Sequence, residues 1–396
     1  MSRTLLPAGA ALVAALIVGL PGAFARPAAE PGITATEILL GGTASLTGPL
    51  SASAAVVRGA EAYFRWVNGR GGVHGRRIVY RYVDDASDAA QAAQATRHLV
   101  EENGVFALVN STGTEQGLAA RGYLNGVGVP QLFVASGASA FGRDYRRYPW
   151  TIGFGPSLHA EGRIYGAYLA RTRPRARVAV LVQNDADERE LLAGLRRGLG
   201  RSRAKVVGTQ RFDPAAPELA AQVASLKASG ADVLAVFAPA RVAGQVFAAA
   251  ARLVWRPLTL VASSATAAPG VPQGAVSLAY LKDPGDPRWA EDAGARLYRS
   301  ILSRYAKGAN ARDLLHAHGM AVAYTVVRVL RVAGPEPTRA SLLAAARSLR
   351  DASNPFLLPG IAVRTSRTDP FPLEQGVLQR RSGRSWRLFG GLWSVS

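Results

Sequence analysis

The sequence predicts an α/β protein with two Rossmann-like lobes, each built on a parallel sheet. Short apolar runs alternate with segments of helical spacing along the first part of the chain, which is typical of a parallel sheet covered by helices on both faces. The same alternation restarts near residue 177, which indicates a second lobe of the same kind. The chain has 396 residues, 48% of them hydrophobic, and this is enough for two domains with sizeable cores.

The elements of the first lobe follow from local periodicity. Apolar or alternating runs predict strands over 38–42, 78–83, 105–109 and 130–134. The segments between them predict helices over 57–68, 89–102 and 115–124. In the first of these helices, Ala60, Phe64 and Val67 share one face. Asp88 stands where the second helix needs an N-cap.

The second lobe repeats the pattern and is followed by a mixed region. Its predicted strands are 177–182, 205–212, 232–237 and 258–262, and its predicted helices are 187–199, 218–228 and 242–253. Further helices are predicted over 287–305, 312–332 and 338–349. Two alternating runs within 376–393 predict a hairpin that turns at residues 381–384.

The first residues have the pattern of a secretory signal peptide. Arg3 precedes an apolar, uncharged stretch over 5–20, and Ala23-Phe24-Ala25 is a small-x-small cleavage pattern, so we expect cleavage after Ala25. The alternative is a permanent membrane anchor, but the stretch is short for a bilayer-spanning helix. The chain contains no cysteine, so no lipid can be attached to an N-terminal cysteine. We therefore expect export and release without a lipid anchor.

The formal net charge of +20 raises the possibility of a nucleic-acid partner. The basic residues are mostly arginine and are dispersed, with short pairs such as Arg146-Arg147 and Arg380-Arg381 rather than a long basic run. Export also removes most nucleic acid from reach. We therefore expect no nucleic-acid partner.

The sequence lacks common catalytic and metal-binding patterns. The glycine-rich stretch that begins at Gly42 lacks the lysine of a phosphate-binding loop. His316 and His318 are two residues apart, so a helix directs them about 200° apart and they are poor joint metal ligands. Without cysteine there is no thiolate metal site. We expect no cofactor, no metal and no enzymatic activity.

Two loops that follow neighbouring predicted strands are rich in hydroxyl groups and glycine. They are Asn110 to Thr114, which contains Ser111 and Thr112, and Ala135 to Ser139, which contains Gly137 and Ala138. Each loop precedes a helix, so it offers N–H and O–H donors to an anion such as a carboxylate. No general base stands beside them, which favours binding over catalysis. The alternative is that the hydroxyls only cap helices.

Acidic residues follow the first predicted strand of the second lobe. Asp187 and Glu188 come shortly after the strand 177–182, at the carboxyl end where an open α/β sheet binds its ligand. They could contact a cationic group of a ligand or simply begin the next helix.

Several stretches resemble the branched-chain amino-acid type of ABC-transporter substrate-binding proteins, which are type I periplasmic binding proteins. The similarity is strongest in LTGPLSASAAVVRGAEAYFRWVNGRGGVHGRRIVYRYVDDASD, with further matches in VPQLFVASGAS and RVAVLVQNDADERE. The resemblance implies two lobes joined by a three-segment hinge. It also implies a monomeric periplasmic receptor that closes on a small-molecule ligand and delivers it to an ABC permease in the inner membrane.

The resemblance also implies which residues contact the ligand. In amino-acid-binding members, hydroxyls and backbone amides of the first lobe hold the ligand carboxylate. The corresponding positions are Ser111, Thr112, Gly137, Ala138 and Ser139. Thr47 and Ser53 are expected at the first-lobe lip of the cleft, where Ser51-Ala52-Ser53 replaces the aromatic residue of the relatives.

The departures from the family pattern concern the ligand's ammonium group. Amino-acid binders hold it with an acid after the strand that here covers 232–237, but Ala238 to Ala243 contains no acid, only Arg241. A buried ammonium without a carboxylate partner is costly. We therefore expect a ligand other than a plain α-amino acid, with Arg241 a candidate for an anionic group, unless Asp187 or Glu188 replaces the missing acid.

The resemblance also sets the expected domain organisation. The expected units are a signal peptide (1–25), the first lobe (26–150), the second lobe (151–280), return helices of the first lobe (281–355) and a second-lobe segment with the C-terminal hairpin (356–396). A sensory protein that passes ligand occupancy to a membrane receptor or kinase is the alternative function. An enzyme would need a base in the cleft, for which Asp187 and Glu188 are the candidates.

Overall fold

The computed structural model describes Met1 and residues 30–183, 186–212 and 219–395, without the side chains of 186–188. Apart from Met1, the expected signal peptide lies outside the described residues. In the described part of the chain, no helix is both long enough and apolar enough to span a membrane.

The secondary structure alternates between strands and helices. The strands are β1 (Glu37–Ala44), β2 (Arg77–Asp84), β3 (Ala107–Val109), β4 (Gln131–Val134), β5 (Thr151–Gly153), β6 (Arg177–Gln183), β7 (Lys205–Phe212), β8 (Val233–Phe237), β9 (Leu258–Val261), β10 (Val276–Ala279), β11 (Arg350–Asp351), β12 (Val363–Arg364), β13 (Gln375–Ser382) and β14 (Ser385–Ser394). The α-helices are α1 (Ala54–Asn68), α2 (Ala89–Glu101), α3 (Thr114–Gly126), α4 (Ala140–Arg143), α5 (Leu158–Thr172), α6 (Ala186–Leu199), α7 (Leu219–Ala228), α8 (Ala240–Arg252), α9 (Ala293–Tyr305), α10 (Leu314–Ala333) and α11 (Arg339–Ala346).

The first lobe is built on a five-stranded parallel sheet in the order β2-β1-β3-β4-β5. One core joins the sheet to α1, α9, α10 and α11, and a smaller core joins it to α2 and α3. As expected, Asp88 caps α2, because its carboxylate accepts a hydrogen bond from the Gln91 N–H. Helices therefore cover both faces of the sheet, in agreement with the predicted α/β class.

The second lobe is built on a seven-stranded sheet in the order β14-β13-β10-β9-β8-β6-β7. Its strands from β6 to β10 run parallel, whereas β13 and β14 pair antiparallel and form the C-terminal hairpin. The hairpin closes at the pair Ser382–Ser385, with Gly383 at a positive φ of 60°. Helices α5 to α8 pack on this sheet around a single large core.

The described chain passes between the two lobes three times. The passages lie between β5 and α5, between β10 and α9, and between β12 and β13. We expected the last passage near residue 356, but Phe356, Ile361 and Leu373 all pack in the core of the first lobe. The chain therefore leaves the first lobe just before β13.

Several elements differ from the sequence prediction, which did not include β5, α4, α5, β10, β11 or β12. α9 begins at Ala293 rather than at 287, because Asp292 accepts a hydrogen bond from the Ala295 N–H and so caps the helix there. Residues 287–289 form a separate 3-10 turn. β10 was not predicted, and it is the strand that leads into the second passage between the lobes.

Candidate ligand-binding site

A cavity of about 300 Å³ lies between the two lobes. It opens where the parallel strands of both sheets end, which is the usual position of a ligand in open α/β sheets. Its first-lobe lining includes Ser53, Val56, Thr112, Gly113, Ser136, Gly137, Leu314, Leu315 and His318. Its second-lobe lining includes Leu158, Glu161, Ser263, Ser264, Thr266, Leu278, Gln379 and Trp386. The passages between the lobes add Phe154, Gly155, Pro156, Tyr280, Leu281 and Asp283.

The two hydroxyl-rich loops meet at the first-lobe wall of this cavity. The Thr112 N–H donates to the Thr43 carbonyl, and its hydroxyl lies 3.3 Å from the Ser53 hydroxyl. The Ser136 hydroxyl lies 2.7 Å from the Thr114 hydroxyl and accepts a hydrogen bond from the Ala138 N–H. Of the residues predicted from the sequence, Ser53, Thr112 and Gly137 line the cavity. This wall presents hydroxyl groups held in place by the strand ends.

Three other predicted loop residues do not line the cavity. The Ser111 hydroxyl is buried and accepts a hydrogen bond from the Thr43 N–H, which ties the loop to β1. Ala138 is buried without lining the cavity. The Ser139 N–H donates to a carboxylate oxygen of Glu190 at 2.7 Å instead of facing the cavity.

The remaining predicted residues lie elsewhere or outside the described set. The Thr47 hydroxyl donates to Asp84 at 2.7 Å and ties the loop after β1 to the end of β2, and Thr47 does not line the cavity. Arg241 is exposed in the first turn of α8 and does not line the cavity. The side chains of Asp187 and Glu188 lie outside the described residues.

Glu161 is a buried carboxyl group in the second-lobe wall that the sequence reasoning missed. It is 2% exposed and lies near the start of α5, one turn before Tyr165. Its oxygens are within hydrogen-bond distance of the Ser263 N–H at 2.7 Å, the Ser263 hydroxyl at 2.6 Å and the Tyr165 hydroxyl at 2.8 Å. Burial raises the pKa of Glu161, and the bonds from Ser263 offset only part of this effect.

His318 and Tyr280 form a second polar pair in the cavity wall. The Tyr280 hydroxyl lies 2.9 Å from Nδ1 of His318, and the imidazole packs edge-on against Phe154 with ring centroids 5.6 Å apart. Burial lowers the pKa of His318 to about 4, so the ring is neutral at pH 7. Nearby, burial raises the pKa of Asp283.

A sequence feature could have indicated Glu161. On α5, Ala160, Ile164 and Tyr165 define the buried face, and Glu161 falls on that face beside Tyr165. A carboxyl group on the apolar face of a helix is unusual unless it has a partner or a function. The position of His318 in the cavity, by contrast, depends on the packing of α10 in the first lobe, which local periodicity does not reveal.

The described residues contain no group of three or more histidine, cysteine, aspartate or glutamate side chains that could hold a metal ion. The cavity instead carries hydroxyl groups on both walls, together with apolar side chains such as Leu315 in the first lobe and Leu158 and Trp386 in the second. Such a surface suits a small organic molecule with both polar and apolar parts.

The sequence matches a known protein family and a curated relative. Residues 37–370 match the family described as periplasmic binding protein. A curated relative, Leu/Ile/Val-binding protein homolog 3 of Brucella melitensis biotype 1, is 24% identical over 200 residues. That match covers 50% of this chain and 53% of the relative, so the chain aligns with about half of the relative's length.

Solved structures share the fold over most of their length. A branched-chain amino acid ABC transporter protein from Thermus thermophilus with bound valine gives a TM-score of 0.78 at 17% identity, covering 91% of this chain and 97% of that one. A fatty acid ABC transporter substrate-binding protein from Thermomonospora curvata gives 0.77 at 17%, covering 93% and 95%. A solute binding protein from Rhodopseudomonas palustris BisB5 with 3,4-dihydroxy benzoic acid gives 0.73 at 17%, covering 90% and 96%.

Proposed function

Because the chain belongs to the periplasmic binding protein family, we propose that it is a periplasmic solute receptor that delivers a small organic ligand to an ABC-type uptake permease. The observation that carries this proposal is the cavity between the lobes, which is lined by hydroxyl groups and apolar side chains from both of them. In this proposal the chain is exported with its signal peptide removed and acts as a monomer without catalysis.

We propose that the first-lobe wall binds a carboxylate. The hydroxyls of Ser53, Thr112 and Ser136 and the backbone of Gly137 line one side of the cavity. Hydroxyl groups can donate to a carboxylate, and hydrogen bonds to an ionised acceptor are stronger than those to a neutral one. Ser111 positions this wall through its bond to Thr43. In this proposal the apolar body of the ligand packs against Leu158, Leu278 and Trp386.

We propose that the ligand is not a plain α-amino acid. Among the described residues, the acids that line the cavity are Glu161 and Asp283, and burial raises the pKa of both, which disfavours the charged form that an ammonium needs. Structures of the same fold include one with bound valine and one with bound 3,4-dihydroxy benzoic acid. The fold therefore accommodates ligands with and without an amino group.

Ligand binding is proposed to close the lobes by hinge motion about the three passages. A cavity lined from both lobes is completed only when they approach each other, so a ligand that contacts both walls stabilises the closed form. Glu190 on α6 already bridges to the first lobe through Ser139 and Arg143.

Matched pairs of ligands test the proposed ligand class. Isothermal titration with leucine and with 4-methylpentanoate, its counterpart without the amino group, isolates the contribution of the ammonium. We expect 4-methylpentanoate or 4-hydroxybenzoate to bind, and leucine to bind at least about a hundredfold more weakly than 4-methylpentanoate, because an unpaired buried ammonium costs about 3 kcal/mol or more. Tight binding of leucine would overturn the ligand class, and binding of none of these compounds would count against a carboxylate receptor.

A pair of threonine variants tests the proposed wall. Thr112→Val removes a cavity hydroxyl and is expected to weaken carboxylate binding about tenfold, in line with the loss of one hydrogen bond. Thr47→Val makes the same chemical change outside the cavity and is the control. Equal affinities of the two variants would remove Thr112 from the proposed site.

A further inference from the structure

The hydroxyl of Tyr165 contacts two oxygens that both need a proton. It lies 2.8 Å from Oε1 of Glu161 and 2.8 Å from the Val261 carbonyl oxygen, and it accepts a hydrogen bond from the Leu278 N–H. A phenol has a single proton to donate, and a carbonyl oxygen can only accept. If the Tyr165 proton goes to Val261, the contact with Glu161 requires a proton from Glu161.

The other contacts of Glu161 are compatible with a proton on Oε1. The Ser263 hydroxyl donates to Oε2 at 2.6 Å, and the Ser263 N–H lies 2.7 Å from Oε1. Oε1 can then accept from Ser263 while it donates to Tyr165, and every one of these buried contacts has a donor and an acceptor. An ionised Glu161 would instead leave the Val261 carbonyl facing the Tyr165 oxygen without a proton between them.

The described residues that line the cavity supply no cation that would favour the ionised form of Glu161. No described residue that lines the cavity is an arginine or a lysine. Among the described residues, the titratable groups that contact Glu161 or share the cavity lining with it are Tyr165, Tyr280, His318 and Asp283. Burial raises the pKa of both tyrosines and lowers that of the histidine, so these three are neutral at pH 7. A charge on Glu161 would be buried without a counter-ion from the described cavity lining, which is costly.

We propose that Glu161 is an uncharged carboxylic acid whose proton lies between its Oε1 and the Tyr165 hydroxyl, so that the second-lobe wall takes ligands that bring no cation to it. The protonation state stands on the hydrogen-bond geometry alone. Its consequence for the ligand rests on the proposed function, because it assumes that the cavity holds the transported molecule. Glu161 then determines ligand specificity, because its neutral form offers no negative charge to a cationic group of the ligand.

Infrared spectroscopy of the ligand-free protein tests the protonation state directly. The spectrum of the wild type minus that of Glu161→Gln at pH 7 is expected to contain the carbonyl stretching band of a carboxylic acid, which shifts in heavy water. Glu115→Gln, which removes an exposed glutamate at the start of α3, is the control and is expected to show carboxylate bands only. Carboxylate bands for Glu161 would overturn the proposal.

The pH dependence of thermal unfolding is a second readout. A carboxyl group whose pKa is raised by folding loses stability as the pH rises from its unfolded value of about 4.3 through its folded value. Glu161→Gln lacks this loss, so its Tm is expected to rise relative to wild type between pH 5 and 8. The amide of glutamine can donate to Tyr165 but cannot also accept from the Ser263 N–H at the same atom, so the variant carries a loss of stability that is the same at every pH. The change with pH is therefore the readout, and a Tm of the variant that falls relative to wild type from pH 5 to 8 contradicts the proposal.

The two proposals fail in different ways. An acid band together with no binding of 4-methylpentanoate, 4-hydroxybenzoate or leucine retains the neutral Glu161 and removes the proposed ligand class. Carboxylate bands together with tight binding of 4-methylpentanoate retain the carboxylate receptor and overturn the neutral Glu161.

Discussion

At the scale of single residues, the cavity owes its character to neutral polar groups. His318 is an example: its ring is held by Tyr280 and Phe154, and burial lowers its pKa to about 4. A histidine with a lowered folded pKa contributes stability that is present above its unfolded pKa of about 6.5 and is lost as the pH falls towards 4. One pKa unit corresponds to about 1.4 kcal/mol, so this contribution is on the order of 3 kcal/mol.

We therefore predict that His318→Asn flattens part of the pH dependence of stability. Between pH 6.5 and 4, wild type is expected to lose more free energy of unfolding than this variant, as measured by urea denaturation at each pH. His98→Asn is the control, because His98 is exposed on α2 and pairs with Glu102 at the surface. Parallel curves for wild type and His318→Asn would show that His318 is not the titrating group. Glu161 is unchanged in both proteins, so its opposite pH dependence cancels in the comparison.

The site residues that the sequence could predict are those whose position follows from a strand end. Thr112 and Gly137 stand in loops directly after β3 and β4, so the parallel-sheet rule places them at the cleft. Glu161, Tyr280 and His318 reach the same cavity through the passages between lobes and through α10. Those positions depend on contacts far apart in sequence, which local patterns do not contain.

At the scale of elements, α5 and α6 pack through glycines on both helices. Each helix carries two glycines four residues apart, which are Gly162 and Gly166 on α5 and Gly194 and Gly198 on α6. A Cβ on Gly166 would lie 2.2 Å from the Leu195 carbonyl oxygen, and a Cβ on Gly194 would lie 2.1 Å from that of His159. The backbones are therefore in direct contact, and added methyl groups would push the two helices apart.

We predict that Gly166→Ala destabilises the protein by about 1 to 3 kcal/mol, because the helix backbones must separate to admit the methyl group. Chemical denaturation measures the change. Gly122→Ala on α3 is the control: no atom lies within 4 Å of its added Cβ, and alanine favours the helix by up to about 1 kcal/mol. A Gly166→Ala protein as stable as wild type would mean that α5 and α6 can separate without cost.

Element boundaries show where local patterns stop being informative. Most of the alternating strands and helices of both lobes were predicted, because each has a buried run or an apolar face of its own, but α5 and β5 were not. β10 covers only Val276–Ala279, and it is defined by its neighbours β9 and β13 rather than by a distinct sequence pattern. The end of the first lobe near Leu373 is likewise defined by long-range packing.

At the scale of the whole molecule, one carboxylate joins the two lobes beside the cavity. Glu190 projects from α6 of the second lobe, accepts a hydrogen bond from the Ser139 N–H at 2.7 Å and pairs with Arg143 at 3.2 Å. Ser139 was expected to donate to the ligand, but in the structure its N–H donates to the carboxylate of Glu190. In the proposed hinge motion these contacts break when the lobes separate, so they would favour the closed form without ligand.

We predict that Glu190→Gln shifts the ligand-free protein towards an open form. The variant loses the ion pair and weakens the charge-assisted hydrogen bond, a change of about 1 to 3 kcal/mol in favour of opening. This free energy corresponds to a shift of about 5-fold to 150-fold in the ratio of open to closed molecules. Small-angle X-ray scattering is expected to report a larger radius of gyration for the variant than for wild type.

The matched control separates bridging of the lobes from the general effect of removing a charge. Glu291→Gln removes an ion pair with Arg296 that lies within the first lobe, at 3.2 Å and on the surface. It makes the same chemical change without touching the contact between lobes, so its radius of gyration is expected to equal that of wild type. If Glu190→Gln also matches wild type, the Glu190 contacts do not bias closure. A larger radius of gyration in the Glu190 variant alone would mean that the contacts of Glu190 stabilise the closed form before a ligand binds.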